Sequence, residues 1–292
     1  MPAAPTLSIG MPVYNGTKWI AESIEYLLNQ SFEDFELIIA DNASTDETGT
    51  ICRGIAERDP RVRYHRHSSN IGAFGNYDYV LSLSTTPYFK WASCNDICLN
   101  GFLEKCLDVL RDRPDVVLAY PRAILIFAPK GEEPYGEEYD DNLNLEQDRP
   151  SDRFRDYLNR EKINNVMNGV IRASALRETA LNRPLPGSDI SMVAELALRG
   201  KFVEIPDRLF VRRLTPDTTI LLMEQSARSH GYLSRPDNLQ RLKLHSYRFL
   251  DVWRAPIALS EKIRVWLYLL RRVGWLRHRA MRKVFKVLTG RG

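Results

Sequence analysis

From residue 6 to residue 128 the chain alternates between two textures. The segments "TLSIGMPVY", "FELIIA", "RVRYHR", "PYFKWA" and "DVVLAYPRAILIF" are short, rich in β-branched and aromatic residues and bounded by turn formers, which predicts strands. Between them apolar positions recur at helical spacing. Ile20, Ile24, Leu27 and Leu28 fall on one face of "TKWIAESIEYLLNQS", and Ile51 and Ile55 share a face of "TDETGTICRGIAERD". "NIGAFGNYDYVLSLS" and "NGFLEKCLDVLRDRP" complete four β-α units. Such alternation predicts an α/β fold with a mostly parallel central sheet flanked by helices. Ligands of such sheets bind beyond the carboxyl ends of the strands, so the residues that follow each strand are the candidates for chemistry.

Past residue 128 the pattern changes. "KGEEPYGEEYDDNLNLEQDRP" is acidic and turn-rich with no periodic apolar face, which predicts a mobile surface loop. "SDRFRDYLNREKI" resumes helical spacing with Ser151 as its cap, and "VMNGVIRASALRETA" reads as strand then helix. "GSDISMVAELALRG" predicts an amphipathic helix, and "KFVEIPDRLFVRRL" a strand. No repeat or low-complexity tract interrupts these segments.

The strand ends are unusually polar. The first ends in Tyr14-Asn15, the second in Asp41-Asn42-Ala43-Ser44-Thr45-Asp46, the third leads to Asn70-Ile71-Gly72, and the fourth stops at Ser93-Cys94-Asn95-Asp96. Asn and Asp form turns and cap helices, so Thr45 and Asp46 have an ordinary reading as the start of the next helix. No G-x-x-x-x-G-K-[ST] phosphate loop is present, no G-x-G-x-x-G follows the first strand, and no G-x-S-x-G elbow occurs. Kinase, dehydrogenase and serine-hydrolase chemistry are thereby disfavoured.

The four cysteines, Cys52, Cys94, Cys98 and Cys106, contain no C-x-x-C pair, and the five histidines have no metal-ligand spacing. Reduced thiols and a cytoplasmic location are expected. The N-terminus lacks the basic and long apolar regions of a secretory signal, and no window is apolar enough for a membrane span.

Several motifs taken in order resemble a known family. "LSIGMPVYNG", "FELIIADNASTDET", "NIGAFGNYD", "FKWASCND" and "GSDISMVAELALRG" are similar to those of the family 2 glycosyltransferases of the GT-A fold, over about residues 6 to 220. The resemblance implies a GT-A domain over residues 1–220. Its nucleotide-binding half would be 1–128 and its acceptor and catalytic half 151–220, followed by a helical basic extension over 221–292. It implies sugar transfer from a nucleoside diphosphate donor, a UDP-sugar, to an acceptor hydroxyl with inversion at the anomeric carbon. Pro12, Tyr14 and Asn15 would shape the pocket for base and ribose, and Asp41 would accept a hydrogen bond from a ring N–H. Asn70 and Asn76 would lie near the nucleoside or diphosphate. Lys90 would add positive charge there, or face solvent as an ordinary strand residue.

Asp96 stands where relatives hold a diphosphate-bound cation, so Mg²⁺ or Mn²⁺ is the expected cofactor. This chain departs from the family there: Asn95 replaces an acid, and Leu214-Thr215-Pro216 stands where relatives commonly carry a histidine. Arg212 and Arg213 could supply the missing charge by pairing with phosphate oxygens. Asp189 in "PGSD" matches the base that takes the acceptor proton, although Ser188 or Asp189 would also serve as an ordinary helix start.

Charge separates the end of the chain from the rest. Residues 256–292 hold ten Lys/Arg and one acid, Glu261, a net +9 within a total of +4, so the first 255 residues carry −5. Ile263, Trp266, Leu267, Leu270, Val273 and Trp275 lie among those cations at helical spacing. The pattern fits a helix lying on a membrane surface at its cytoplasmic face, or one packed on the catalytic domain with its arginines solvated. The membrane reading points to a lipid-linked or cell-envelope glycan as acceptor. Nucleic acid is the remaining partner for an arginine-rich helix, but no reading motif supports it.

Overall fold

A computed structural model describes residues 5–127, 133–214 and 238–272. The first half runs β1 (Leu7–Val13), α1 (Ile20–Leu28), β2 (Phe35–Asp41), α2 (Thr48–Ala56), β3 (Val62–Arg66) and α3 (Ala73–Ser82). It continues through β4 (Tyr88–Trp91), a short β5 (Ile97–Cys98), α4 (Phe102–Asp112) and the long β6 (Val116–Phe127). The second half contains β7 (Tyr135–Tyr139), α5 (Pro150–Arg160), a 3-10 turn at Asn165–Asn168, β8 (Val170–Arg172) and α6 (Ala173–Arg177). After these come α7 (Ser188–Ala197), β9 (Lys201–Leu214) and α8 (Asn238–Arg254). A final helix, α9, is described over 259–272.

The strands form one sheet in the order β3-β2-β1-β4-β8-β6-β9-β5, with β7 added to β6. β3, β2, β1 and β4 are parallel neighbours. β8 is antiparallel to both β4 and β6, while β6 and β9 are parallel. The α/β expectation therefore holds, with the parallel run confined to the first half and a mixed second half. Strand alternation sends successive side chains to opposite faces, and two cores result. Leu7, Ile9 and Met11 of β1 pack with Ile20, Ile24, Leu103 and Leu107 on one face. Phe89 and Trp91 of β4 pack with Tyr157, Val193 and Leu196 in the other.

Three expectations are corrected. The acidic stretch, in its described part from 133, is not a loop throughout. β7 pairs with β6, Leu143 and Leu145 are buried, and Leu145 exchanges backbone hydrogen bonds with Phe202 at 3.0 and 3.1 Å. Two isolated leucines make no periodic signal, yet they anchor the segment. Helix α5 starts two residues early, with Arg149 at its N-cap position, Pro150 in its first turn and no side-chain cap, and the Ser151 N–H donates to Glu261 Oε2 instead. Helix α7 is buried on nearly every side, not amphipathic, because α5 and α8 both cover it. The described part of the C-terminal extension also packs against the rest of the chain. Val252, Ala255, Val265 and Leu269 are buried in the same core as α5 and α7, and Trp275 and Val273 lie outside the described residues.

The buried anchor makes a test. Leu145→Ala should lower unfolding stability by about 2–4 kcal/mol in a denaturant titration, as loss of a buried leucine does. A change under about 0.5 kcal/mol, typical of surface loops, would contradict the placement.

Candidate active site

Asp96 and Asp189, far apart in sequence, line one cavity of about 220 Å³ together with Arg212, Tyr77, Ser93 and Asn164. The turn after β4 delivers Asp96. Its Oδ1 accepts the Arg213 backbone N–H at 3.1 Å, and the side chain is 8% exposed. Burial pushes its carboxyl above the usual carboxylate range, opposed by Arg212, the Arg213 N–H, Lys90 and Ser93.

Asp189 sits in the first turn of α7, just after Gly187 at φ 81°, a left-handed conformation that glycine adopts without a Cβ penalty. The helix start has no side-chain cap, and the Ser188 hydroxyl is buried without a partner. Asp189 is therefore not spent on capping. Its Oδ2 accepts the Asn164 side-chain amide at 2.9 Å, while Asn164 Oδ1 accepts the Tyr157 hydroxyl at 2.6 Å. Asn164 itself holds φ 52°, a backbone region that asparagine tolerates better than other non-glycine residues. Sequence reading missed this residue; the Asn164-Asn165 pair ahead of "VMNG" was its only signal.

Alternation along β9 separates the two arginines. Arg212 donates to Ile163 O at 2.6 Å and Asn165 Oδ1 at 2.7 Å, on the cavity side. Arg213 turns away, donating to Asn95 O and Glu22 Oε2 and lying over the Trp19 ring at 4.4 Å. Only Arg212 is thus brought to the cavity, and the expectation that both arginines act there is corrected. Asn95 returns the contact from its amide to Arg213 O at 3.3 Å.

The remaining predicted residues lie apart from this cavity. Pro12 is buried in β1, Tyr14 is half-buried and Asn15 exposed at φ 52°. The loop they open is bolted to the end of β2: Asn15 N–H donates to Ser44 Oγ, Gly16 N–H to Thr48 Oγ1, and Thr45 N–H to Asn15 Oδ1. Asp46 accepts the N–H groups of Thr17 and Thr48. Asn70 is exposed, and its Oδ1 accepts from Asn42 and Gly72.

Three of these assignments change. Asp41 is fully buried, and its oxygens already accept from Ser44 N–H, the Tyr64 hydroxyl and Arg66. Burial would raise its pKa, but these donors outweigh it and hold the group below the usual range. It acts as the hub of the loop in this structure, with one donor on Oδ1 and two on Oδ2. Asn76 is 2% exposed and spans Ala40 O and His67, bracing α3 against the sheet. Lys90 is neither solvent-facing nor at the rim. It is wholly buried, donating to the carbonyls of Trp91 and Asn168 and lying 4.3 Å from the Phe102 ring centre.

The cysteines offer no chemistry. All are free, and burial pushes Cys52, Cys94 and Cys106 up to about 12 and Cys98 upward, which keeps them as thiols. Among the described residues no three acids, cysteines or histidines cluster as a metal cage. Asp96 and Asp189 are the carboxylates of the cavity wall, and a dication held by Asp96 would take its other ligands from phosphate oxygens and water. Thr215 lies outside the described residues.

A further acid stands behind Arg212. Asp141 is 6% exposed, neither of its oxygens has a hydrogen-bond partner, and burial pushes its pKa up to about 7, with Asn165 and Arg212 lowering it only in part and Glu204 and Glu161 adding to the rise. Nothing in its acidic surroundings, "EEYDDN", marked it out in the sequence.

The sheet order, the strand-end loop and the cavity between Asp96 and the α7 helix define a GT-A fold, and comparisons agree. The sequence model of glycosyl transferase family 2 matches residues 8–182, so the chain belongs to that family. Glycosyltransferase GlyG of Streptococcus pneumoniae is 28% identical over 113 residues, covering 38% of each chain. This chain thus spans well under two thirds of that relative's length. S. aureus TarS 1-349, solved in complex with UDP-GlcNAc, matches with a TM-score of 0.59 at 12% identity, over 91% of this chain and 72% of that one. The mannosyltransferase PcManGT of Pyrobaculum calidifontis, in complex with GDP-Man and Mn²⁺, matches with a TM-score of 0.54 at 15% identity, over 99% of this chain and 84% of that one.

Asp141 supplies a pH test. It keeps its proton to about pH 7 when folded but ionises near pH 4 when unfolded. Unfolding therefore releases a proton in that window, and stability falls as pH rises through it. Asp141→Asn should lose roughly 5 °C less of its melting temperature than wild type between pH 5 and pH 8; parallel pH profiles would contradict this.

Proposed function

We propose that this chain transfers a sugar from a nucleoside diphosphate donor, a UDP-sugar, to an acceptor hydroxyl with inversion at the anomeric carbon. The observation that carries the reading is the single cavity lined by Asp96, Arg212 and Asp189, with Asp189 fixed by Asn164 rather than used as a helix cap. Asp189 is the base: as the acceptor oxygen bonds to the anomeric carbon, its proton passes to the carboxylate. The bond from that carbon to the diphosphate oxygen breaks, and the electron pair leaves with the diphosphate. Arg212 places a fixed positive charge in the same cavity, where it favours the charge that builds on the leaving group. Asn164 holds the base in orientation and leaves its Oδ1 outside that bond.

The rim formed by Pro12, Tyr14, Asn15 and Asn70 would receive the nucleoside, at the carboxyl ends of the parallel strands. The donor assignment draws on the fold shared with TarS, whose structure contains UDP-GlcNAc. Asp96 would hold Mg²⁺ or Mn²⁺ with ligands completed by donor phosphates and water. Such a cation neutralises charge on a departing diphosphate.

Two experiments test the reading. Asp189→Asn should fold with an unchanged melting temperature and lose on the order of 10²–10⁴ of the transfer rate; turnover near that of wild type would remove the base assignment. A panel of UDP-, dTDP- and GDP-sugars should show thermal stabilisation greatest with UDP-sugars. At 100-fold excess over Kd the gain is about 2.7 kcal/mol. The Mn²⁺-dependent part should vanish in Asp96→Asn, and a stabilisation indifferent to Mn²⁺ in the wild-type protein would exclude the cation from this site.

A further inference from the structure

Seven of the ten exposed large hydrophobic residues among the described residues belong to two adjacent helices. On α8 these are Leu242, Leu250 and Trp253, at spacings of eight and three, which share one side of a helix. On α9 they are Leu259, Ile263, Leu267 and Leu270, at spacings of four, four and three. The inward positions are different residues: Leu244, Val252, Val265 and Leu269 are buried. Trp266, which shares helical spacing with Ile263, Leu267 and Leu270 in the sequence, is half-buried and donates to Phe249 O. Its ring stacks on Trp253 at 5.7 Å and 15°, so the two helices meet at that pair. Packing has thus already been satisfied, and a second apolar stripe is left over.

The stripe has a charged rim of one sign. Lys243, Arg254, Arg264 and Arg271 are exposed on the same two helices. Their two acids do not balance these cations: Asp251 pairs with Arg183 beneath α8, and Glu261 accepts the Ser151 N–H through Oε2 while its Oε1 lies 3.5 Å from Arg264. A second copy of this chain would bring an identical cationic rim against this one, which disfavours self-association. An anionic surface would complement it. Exposed leucines and a tryptophan bounded by cations are what an interfacial helix places at the headgroup boundary. No helix among the described residues is long and apolar enough to cross a membrane.

We propose that the outer face of α8 and α9 docks on an anionic lipid bilayer and that the acceptor is presented from that surface on a lipid carrier. The face is joined directly to the helix of the base. Arg248 Nε donates to Ser191 Oγ at 2.9 Å on α7, Leu244 packs beside Gly187, and Arg183 pairs with Asp251. Docking there sets the orientation of Asp189 relative to the membrane. The acceptor half of this inference rests on the proposed transfer, whereas the docking half does not.

Sedimentation of the full chain with vesicles tests docking without any turnover. The protein should bind phosphatidylcholine vesicles containing phosphatidylglycerol at least about tenfold more tightly than phosphatidylcholine alone. The variant Leu259→Ser/Ile263→Ser/Leu267→Ser alters only exposed side chains. It should lose about tenfold or more of the anionic-vesicle affinity while keeping its melting temperature and its donor binding. Brominated phospholipid should quench the tryptophan emission of the unmodified protein, a readout that needs no variant. Absence of vesicle binding, absence of quenching, or equal binding by the triple variant would overturn the docking face, as would a wild-type dimer in light scattering that the variant abolishes. If docking holds but Asp189→Asn transfers normally, the failure lies with the proposed function and not with the surface.

Discussion

Of the hydrogen bonds that join the two halves of this chain near the cavity, one fixes a carboxylate of its wall. The Arg213 backbone N–H donates to Asp96 Oδ1, so the last strand of the second half holds the carboxylate delivered by the fourth strand of the first. The pairing of Ile97 and Cys98 with Val211 and Phe210 sets the register that makes this possible. Register also decides which arginine reaches the cavity, because neighbouring side chains on a strand point to opposite faces. A slip of one residue along β9 would send Arg212 outward and turn Arg213 inward. The site's positive charge is thus a consequence of sheet register.

The other side of the cavity is built differently. Asp189 rides on a helix buried against α5 and α8, and its carboxylate is fixed through Asn164 to Tyr157. A buried polar chain of this kind is favourable only when its members are satisfied. Arg183 and Asp251, with side chains 17% and 5% exposed, add an ion pair between the approach to α7 and helix α8. Removing one partner of such a pair costs about 3 kcal/mol, largely because the other charge stays buried. The C-terminal helices therefore do two things at once: their inner faces hold α7, which carries Asp189, in place, and their outer faces remain apolar and cationic.

How much of this was legible in the sequence depended on the kind of signal. The alternation of strands and helices to residue 128 follows from hydrophobic period alone, and the polar strand ends follow from it. Asp96 and Asp189 could be singled out because each falls in a motif at an element boundary. Burial was less visible. Lys90 looks like a strand cation, yet two carbonyls and the Phe102 ring satisfy it in the core. Asn76 and Asp41 look like ligands, yet in the fold they bond to Ala40, His67, Tyr64 and Arg66. These are long-range pairings that no local pattern encodes. Leu143 and Leu145 were hidden among acids for the same reason, and Asn164 was hidden because its importance lies in the partner it orients.

Product stereochemistry reads directly whether transfer is the single displacement at the anomeric carbon proposed with Asp189 as base. With a nucleotide sugar of known anomeric configuration and water as the acceptor, proton NMR of the first-formed sugar reports which face was attacked. A single displacement gives the configuration opposite to that of the donor, observed before mutarotation; a first-formed product with the donor's own configuration would contradict it.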